Sequence, residues 1–347
     1  MGIKSKLKST ESSIRSSLYH RRHMAGAKRV LANIEEERGR LPSNIIKSCD
    51  EYSVDVLGGK VFSPWLYVYS AINGKFKEGW IPDNFYGAKV VPALKGAYGD
   101  ISSLKALTPR LMNIENSNIV GSFINGMFWS SDFRIIDGNQ VSDVLFSNCE
   151  KVVFKADSSN QGRGISFFTR EKFSIESIIA QGNGVFEKYI EQHPFFNEFA
   201  SGSVATLRIT TAVGESGLPT ARSSYLRFGS GSDTHVKSKS HIRVPIDLNN
   251  GEFSAEGYLP NWKRTAMHPT SNVIFSGKFV PEFKSCVDVV ESLHRQIPFV
   301  RIIGWDVVVD KNGKVIIIEW NGSHNDIKFS EAVSGPCFKD LRLEQFR

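Results

Sequence analysis

The sequence predicts an α+β chain built on antiparallel sheets, and three observations predict it. From Lys151 onward, short runs rich in Val, Ile and Phe alternate with loops of Gly, Ser and Asn, the pattern of strands joined by turns. The last two runs, RIIGWDVVV and KVIIIEWN, flank Asp310-Lys311-Asn312-Gly313 and read as a hairpin. Residues 10–40, by contrast, lack proline and are rich in Ala, Arg, Glu, Leu and Ser, which favours helix.

The helical segment is expected to end near Gly39 and Pro42. Residues 54–98 mix aromatics with Gly and Pro and read as short strands and turns, with Asn73-Gly74 a hairpin candidate. Residues 101–116 read as a helix that Pro109 limits or restarts. KVVFK and ISFF follow as two strands around the loop ADSSNQGRG, then VFEKYI and ATLRITTAV as two more. Phe283, Val287, Val290 and Leu293 recur at helical spacing behind Pro281. This gives a basic helical extension over 1–48, an α/β region over 49–148, the main domain over 149–335 and a tail over 336–347.

A chain of 347 residues that is 41% hydrophobic and 23% charged has the balance to bury a core and the length for two or three domains. A membrane-spanning helix takes about 20 apolar residues in succession. No such run occurs, and the start MGIKSKLKSTESSIRSS lacks the apolar centre of a secretory signal, so a cytoplasmic location is expected. Cys49, Cys149, Cys286 and Cys337 form no Cys-x-x-Cys pair, which favours reduced thiols over zinc or disulfides. The net charge of +7 sits at the start: residues 1–47 hold 11 Lys and Arg against 4 Asp and Glu, and the rest is balanced. Such a segment attracts an anionic membrane or a lipid-linked precursor. The plainer reading is a solvated helical arm. No zinc-finger, helix-turn-helix or aromatic-basic pattern points to nucleic acid, and none is expected as a partner.

The chemistry concentrates in the last hairpin. An Asn-Gly turn at 312 and 313 pairs Lys311 with Lys314, which puts Asp306 opposite Glu319. Side chains alternate along a strand, so Asn321 shares the face of Glu319. Two carboxylates and an amide oxygen, with no His or Cys, suit Mg²⁺ that leaves positions open for phosphate oxygens. The plainer alternative is a solvated or salt-bridged pair of strand residues. A second element is Lys155 at a strand end, before Ser158, Ser159, Gly162 and Gly164, whose backbone N–H groups can cradle phosphates. Alone it reads as an ordinary hairpin, and it lacks the spacing of a Walker A loop.

Taken in order, the strand Lys with its Gly-rich loop, VFEKYIEQHP, ATLRITTA and IGWDVVVDKNGKVIIIEWNG resemble the ATP-grasp superfamily, and within it the sugar-transfer-associated ATP-grasp family found with polysaccharide biosynthesis. The resemblance covers roughly residues 100–330. It implies an ATP-grasp fold, two α+β subdomains gripping ATP between antiparallel sheets. It also implies that Lys155, and Lys105 with it, contact the ATP phosphates, while Ser158, Ser159, Gly162 and Gly164 belong to a flap over them. Glu187 then faces the adenine amino group, backbone near Tyr189 and Ile190 pairs with the ring edge, and Glu191 or His193 reaches the ribose. Arg208 steadies the transferred phosphoryl group, and Asp306, Glu319 and Asn321 match the Mg²⁺ ligands. Two departures stand out: Ala205 replaces the family's Asn, and SGSDTHVKSKSHIRV, which should border the acceptor site, replaces an Asp-Asn and paired-glycine motif.

The implied reaction is an ATP- and Mg²⁺-dependent ligation. A carboxylate on a small molecule or glycan precursor becomes an acyl-phosphate, and an amine then displaces phosphate. Two rivals use the same fold: a kinase that phosphorylates a small molecule or sugar, and a nucleotide-binding partner of a glycan-assembly complex without turnover.

Overall fold

The computed structural model describes residues 3–114, 117–157, 164–229 and 240–347, with side chains from residue 13. Helix α1, Ile3–Arg38, stops where Gly39 turns to φ 84°, a left-handed conformation that glycine adopts without strain. Helix α2, Ser43–Asp55, starts after Pro42 and spans the 48/49 boundary drawn from sequence. The expected solvated arm is instead packed. Ala27 and Ile34 of α1 are fully buried against α3, Ser63–Asn73, and its surroundings.

Helix α3 corrects the expected strands. SPWLYVYSAIN carries Pro64 in its first turn and ends on Gly74 at φ 74°, so Asn73-Gly74 is a helix end and not a hairpin. Trp65, Leu66, Val68 and Tyr69 are all buried, and a helix buried on most sides has no polar stripe to reveal its period. Aromatic and β-branched residues favour strands largely through the surfaces they pack on, which here are supplied by helices. The expected helix over 101–116 is broken into Ile101–Ser103, Lys105–Leu107 and Thr108–Leu111, with Pro109 opening the last.

Two antiparallel sheets follow. The first contains β1 (Ile119–Ile124), β2 (Met127–Ser130), β3 (Ile135–Ile136), β4 (Lys151–Ala156), β5 (Ile165–Thr169) and β6 (Gly184–Lys188), in the order β3-β2-β1-β6-β4-β5. The second contains β7 (Thr206–Val213), β8 (Pro219–Phe228), β9 (Ile242–Ile246), β10 (Gly257–Tyr258), β11 (Arg264–Thr265), β12 (Ile302–Val309) and β13 (Val315–Asn321), in the order β11-β10-β9-β8-β7-β12-β13. Helix Ile175–Gln181 contributes Ile178 to the core of the first sheet, and helix Phe283–His294 contributes Cys286 and Val290 to that of the second.

A third core joins the chain's two ends. Phe329, Phe338, Leu341 and Leu343 pack with α1–α3, so residues 336–347 share a core with the start of the chain. Glu331, fully buried, fastens the junction: its carboxylate accepts from Ile81 N and Cys337 N at 2.8 Å each, and its carbonyl accepts from Trp80 Nε1 at 2.8 Å. Burial pushes its pKa up to about 8.

Asp306 does lie opposite Glu319, but by a different route from the one the turn implies. Asp310 N donates to Lys314 O, and Gly313, at φ 80°, donates to Asp310 O, closing a three-residue loop. Asp310 Oδ1 holds it by accepting from Asn312 N and Lys314 N at 2.8 Å. The register then pairs Val309 with Val315 and Val307 with Ile317, which would bring Ile318 opposite Asp306. An irregularity next to Asp306 passes over Ile318 and restores Glu319 to that place.

Candidate functional site

The two sheets face one another across a cleft of about 940 Å³. From the first sheet, β4 contributes Lys155 and β6 contributes Glu187, whose Oε2 accepts from Lys155 Nζ at 2.6 Å. The same ammonium reaches Ile318 O at 3.3 Å, so the carbonyl of the irregular residue in β13 ties the two sheets together. Tyr189 and Ile190 continue this wall beside Val153, Ile165 and Phe167, forming an apolar slot.

From the second sheet, β7 contributes Arg208, β12 Asp306 and β13 Glu319 and Asn321. Arg208 is paired directly with Asp306 across the strands. Its Nε lies 2.5 Å from Asp306 Oδ1 and its Nη2 3.2 Å from Oδ2, and Arg227 Nη2 adds a contact at 2.6 Å to Oδ1. Burial alone would raise the Asp306 carboxyl, but Arg208 and then Arg227 outweigh it and hold it at about 2. Glu319 differs. Burial and then the charge of Asp306 raise its pKa, and Lys105 Nζ at 3.8 Å compensates only in part. Asn321 donates Nδ2 to Gly304 O at 3.2 Å, which orients its amide.

Nine of the residues singled out from sequence therefore line one cleft: Lys105, Lys155, Glu187, Tyr189, Ile190, Arg208, Asp306, Glu319 and Asn321. Glu191 and His193 do not line it. Glu191 is exposed and pairs with Lys311 at 3.0 Å, while His193 caps the turn Pro194–Asn197 by accepting from Phe195 N. Ser158, Ser159 and Gly162 lie outside the described residues; Gly164 at their edge turns at φ 73°.

Reading the sequence named no binding residue at the far end of the cleft; the stretch SGSDTHVKSKSHIRV, expected to border the acceptor site, reaches it through Arg243, and its residues 230–239 lie outside the described residues. Tyr19 and His23 of α1, Asp83, Arg227, Arg243, Trp262, His324, Asn325, Asp326 and Lys328 all line this end. Asp83 is 1% exposed, with His23 Nδ1 at 3.1 Å and Lys328 Nζ at 3.8 Å from its Oδ2. Burial works against its charge, but Lys328 and then His23 keep its pKa low. The alternation in YLRF and HIRV was available as a signal for Arg227 and Arg243; nothing local marked α1 or Asp83.

Residues 133–346, more than half of the chain, match the family described as sugar-transfer associated ATP-grasp. The chain belongs to that family. The six- and seven-stranded antiparallel sheets, with the helices packed on them, agree with the α+β ATP-grasp fold. Similar solved structures include a biotin carboxylase from Campylobacter jejuni, at 13% identity over 92% of this chain and 69% of that one, with a TM-score of 0.49. Another is the biotin carboxylase domain of the Hydrogenobacter thermophilus 2-oxoglutarate carboxylase with MgADP and bicarbonate, at 14% identity over 70% and 45%, with a TM-score of 0.45. A third is the D-alanine-D-alanine ligase of Coxiella burnetii, at 13% identity over 71% and 57%, with a TM-score of 0.39. The chain spans less than half of the Hydrogenobacter domain's chain and just over half of the Coxiella ligase. No curated protein matches this ATP-grasp chain. Among its described residues, no helix is long and apolar enough to cross a membrane.

Proposed function

We propose that this ATP-grasp protein is a Mg-ATP-dependent ligase that activates a carboxylate as an acyl-phosphate for attack by an amine, acting on a glycan precursor. The observation that carries this reading is the division of charge in the cleft: Lys105 and Lys155 stand beside Glu319 and Asn321, with Arg208 and Asp306 behind them on the same sheet face.

The donor set fits a hard divalent cation. Asp306, Glu319 and Asn321 offer oxygen only, and Glu319 is a carboxylate whose charge its surroundings compensate incompletely, which a cation would relieve. Among the described residues no group of three or more His, Cys, Asp or Glu is placed to hold a metal ion by itself, and phosphate oxygens would complete the coordination. When bound, Mg²⁺ would neutralise phosphate charge. Lys155 and Lys105 would bring ammonium groups to the phosphates, and both are now engaged with carboxylates that phosphate would displace. Arg208, clamped by Asp306 and by donation of its Nη1 to Asn325 O at 3.1 Å, is preorganised to face charge that develops during phosphoryl transfer. The slot of Val153, Ile165, Phe167 and Tyr189 suits a flat base.

The test is incubation with ATP, Mg²⁺ and panels of acids and amines, with products weighed by mass spectrometry. ADP, free phosphate and an amide are expected. ADP with a phosphorylated product would replace the ligase by a kinase, and tight nucleotide binding without turnover on any panel would replace it by a non-catalytic partner.

A further inference from the structure

The seven-stranded sheet carries its charges as a gradient across one face. Glu319 of β13 lies opposite Asp306 of β12, Asp306 opposite Arg208 of β7, and Arg208 opposite Tyr225 of β8. Two residues beyond Tyr225, Arg227 lies directly opposite Arg243 of β9. Carboxylates thus hold the β12–β13 end and guanidiniums the β8–β9 end. Like charges directly opposite across strands repel one another, and both arginines line the cleft.

Their surroundings differ. Arg227 is answered by Asp306 at 2.6 Å. Arg243 pairs with no carboxylate among the described residues. It is 7% exposed, and its guanidinium lies in the corner formed by Trp262 and Phe329, 4.5 and 4.4 Å from their ring centroids. Its one described hydrogen bond is long, Nη2 to Leu259 O at 3.4 Å, and its Nε is buried without a partner. Asp326 is the one carboxylate whose charge is felt at Arg243, and it is ion-paired to Lys328 at 2.5 Å rather than to the guanidinium. A permanently charged group buried without a direct ion pair is costly, and a ligand oxyanion in contact with it would offset that cost.

We propose that the β8–β9 end of the cleft is a subsite for an oxyanion, a carboxylate or a phosphate, on the substrate that is not the nucleotide, received by Arg243 with Arg227 beside it. The planar guanidinium fork matches both oxyanions, and packing on the Trp262 and Phe329 rings sets its orientation before the ligand arrives. This rests on the nucleotide reading, which assigns the Lys105–Lys155 end to ATP phosphates. It narrows the substrate to an acidic class, such as a sugar phosphate or a sugar acid, and excludes a neutral sugar. Part of the wall comes from Tyr19, His23 and Asp83, outside the family match over 133–346, so the subsite belongs to this chain's own N-terminal elements as well.

The experiment uses the full chain, with inorganic phosphate and acetate as separate probes at constant ionic strength, followed by calorimetry and thermal melting with and without saturating MgADP. At least one anion is expected to bind saturably and to add to the stabilisation by MgADP; which of the two binds tells phosphate from carboxylate. Arg243→Gln should weaken that anion at least about tenfold, Arg243→Lys less, with the MgADP Kd moved less than about twofold. Without anion, Arg243→Gln should melt no lower than the parent, because it removes an unpaired buried charge. The proposal is overturned if neither anion binds, if binding survives Arg243→Gln, or if the anion and ADP displace one another one for one. Absence of MgADP binding would instead strike the nucleotide reading, and the anion series without nucleotide would still decide this one.

Discussion

Glu319 and Asp306 face one another across β12 and β13, yet their electrostatic company is opposite, and so are the outcomes expected on neutralising them. Asp306, 5% exposed, is clamped by Arg208 and Arg227. Asp306→Asn strands two buried cations and should cost about 3–5 kcal/mol in a denaturant titration. A pKa held at about 2 means that this pairing is intact above the ordinary carboxylate range and is lost as pH falls from about 4 toward 2. The variant should therefore show a flatter stability profile over that interval. Glu319 has its pKa raised by burial and by Asp306, so its charge is the less welcome form in the folded chain. Glu319→Gln should leave stability level or slightly higher at neutral pH. Turnover should fall by a factor on the order of 100 or more, measured as ADP release, because Glu319 is assigned to the cation. Near-normal turnover together with a marked loss of stability would return Glu319 to a structural role. The sequence pointed to both carboxylates; that only one of them is clamped depends on Arg208 and Arg227, about 100 and 80 residues away in the chain.

At the scale of elements, α1 behaves as part of the molecule's frame. Its Ala27 and Ile34 are buried, its His23 meets Asp83, and its Glu36 and Glu37 pair with Lys263 and Arg264. From sequence alone, removal of residues 1–40 would be expected to leave the nucleotide site untouched. The packed helix adds a consequence for stability: the deletion should strip the core around α3 and lower the denaturation midpoint, as followed by circular dichroism. A smaller change, Ile34→Ala, should cost about 2–5 kcal/mol. An unchanged midpoint in either variant would show that the α1 contacts contribute nothing. The helical character of α1 was legible because composition and a glycine stop are local signals. Its burial was not, since it depends on Trp65, Phe85 and Phe329 arriving from elsewhere. The hairpin of β12 and β13 shows the converse case: its turn misled by one residue, and the irregularity at Ile318 restored the expected pairing.

The whole molecule places the cleft between two sheets that touch directly through few groups, among them Lys155 to Ile318 O. A ligand that bridges both sheets and binds only the folded chain stabilises it by mass action, by about 2.7 kcal/mol at 100 times Kd. MgADP should accordingly raise the melting temperature by several degrees, GTP by less, and an unmoved melting temperature at millimolar nucleotide would remove the basis for assigning ATP to the cleft. By itself the sequence determined the antiparallel α+β class, most strands from Lys151 onward, the shared face of Glu319 and Asn321, and nine residues that prove to line one cleft, because strand alternation and motif order are properties of contiguous chain. Only the tertiary structure decided that α3 is a helix, that Asp306 is clamped by two arginines, and that Arg243 makes no direct ion pair among the described residues. Those facts turn on strand order and on which distant surfaces meet, and neighbours across a sheet are chosen by the packing of the whole chain.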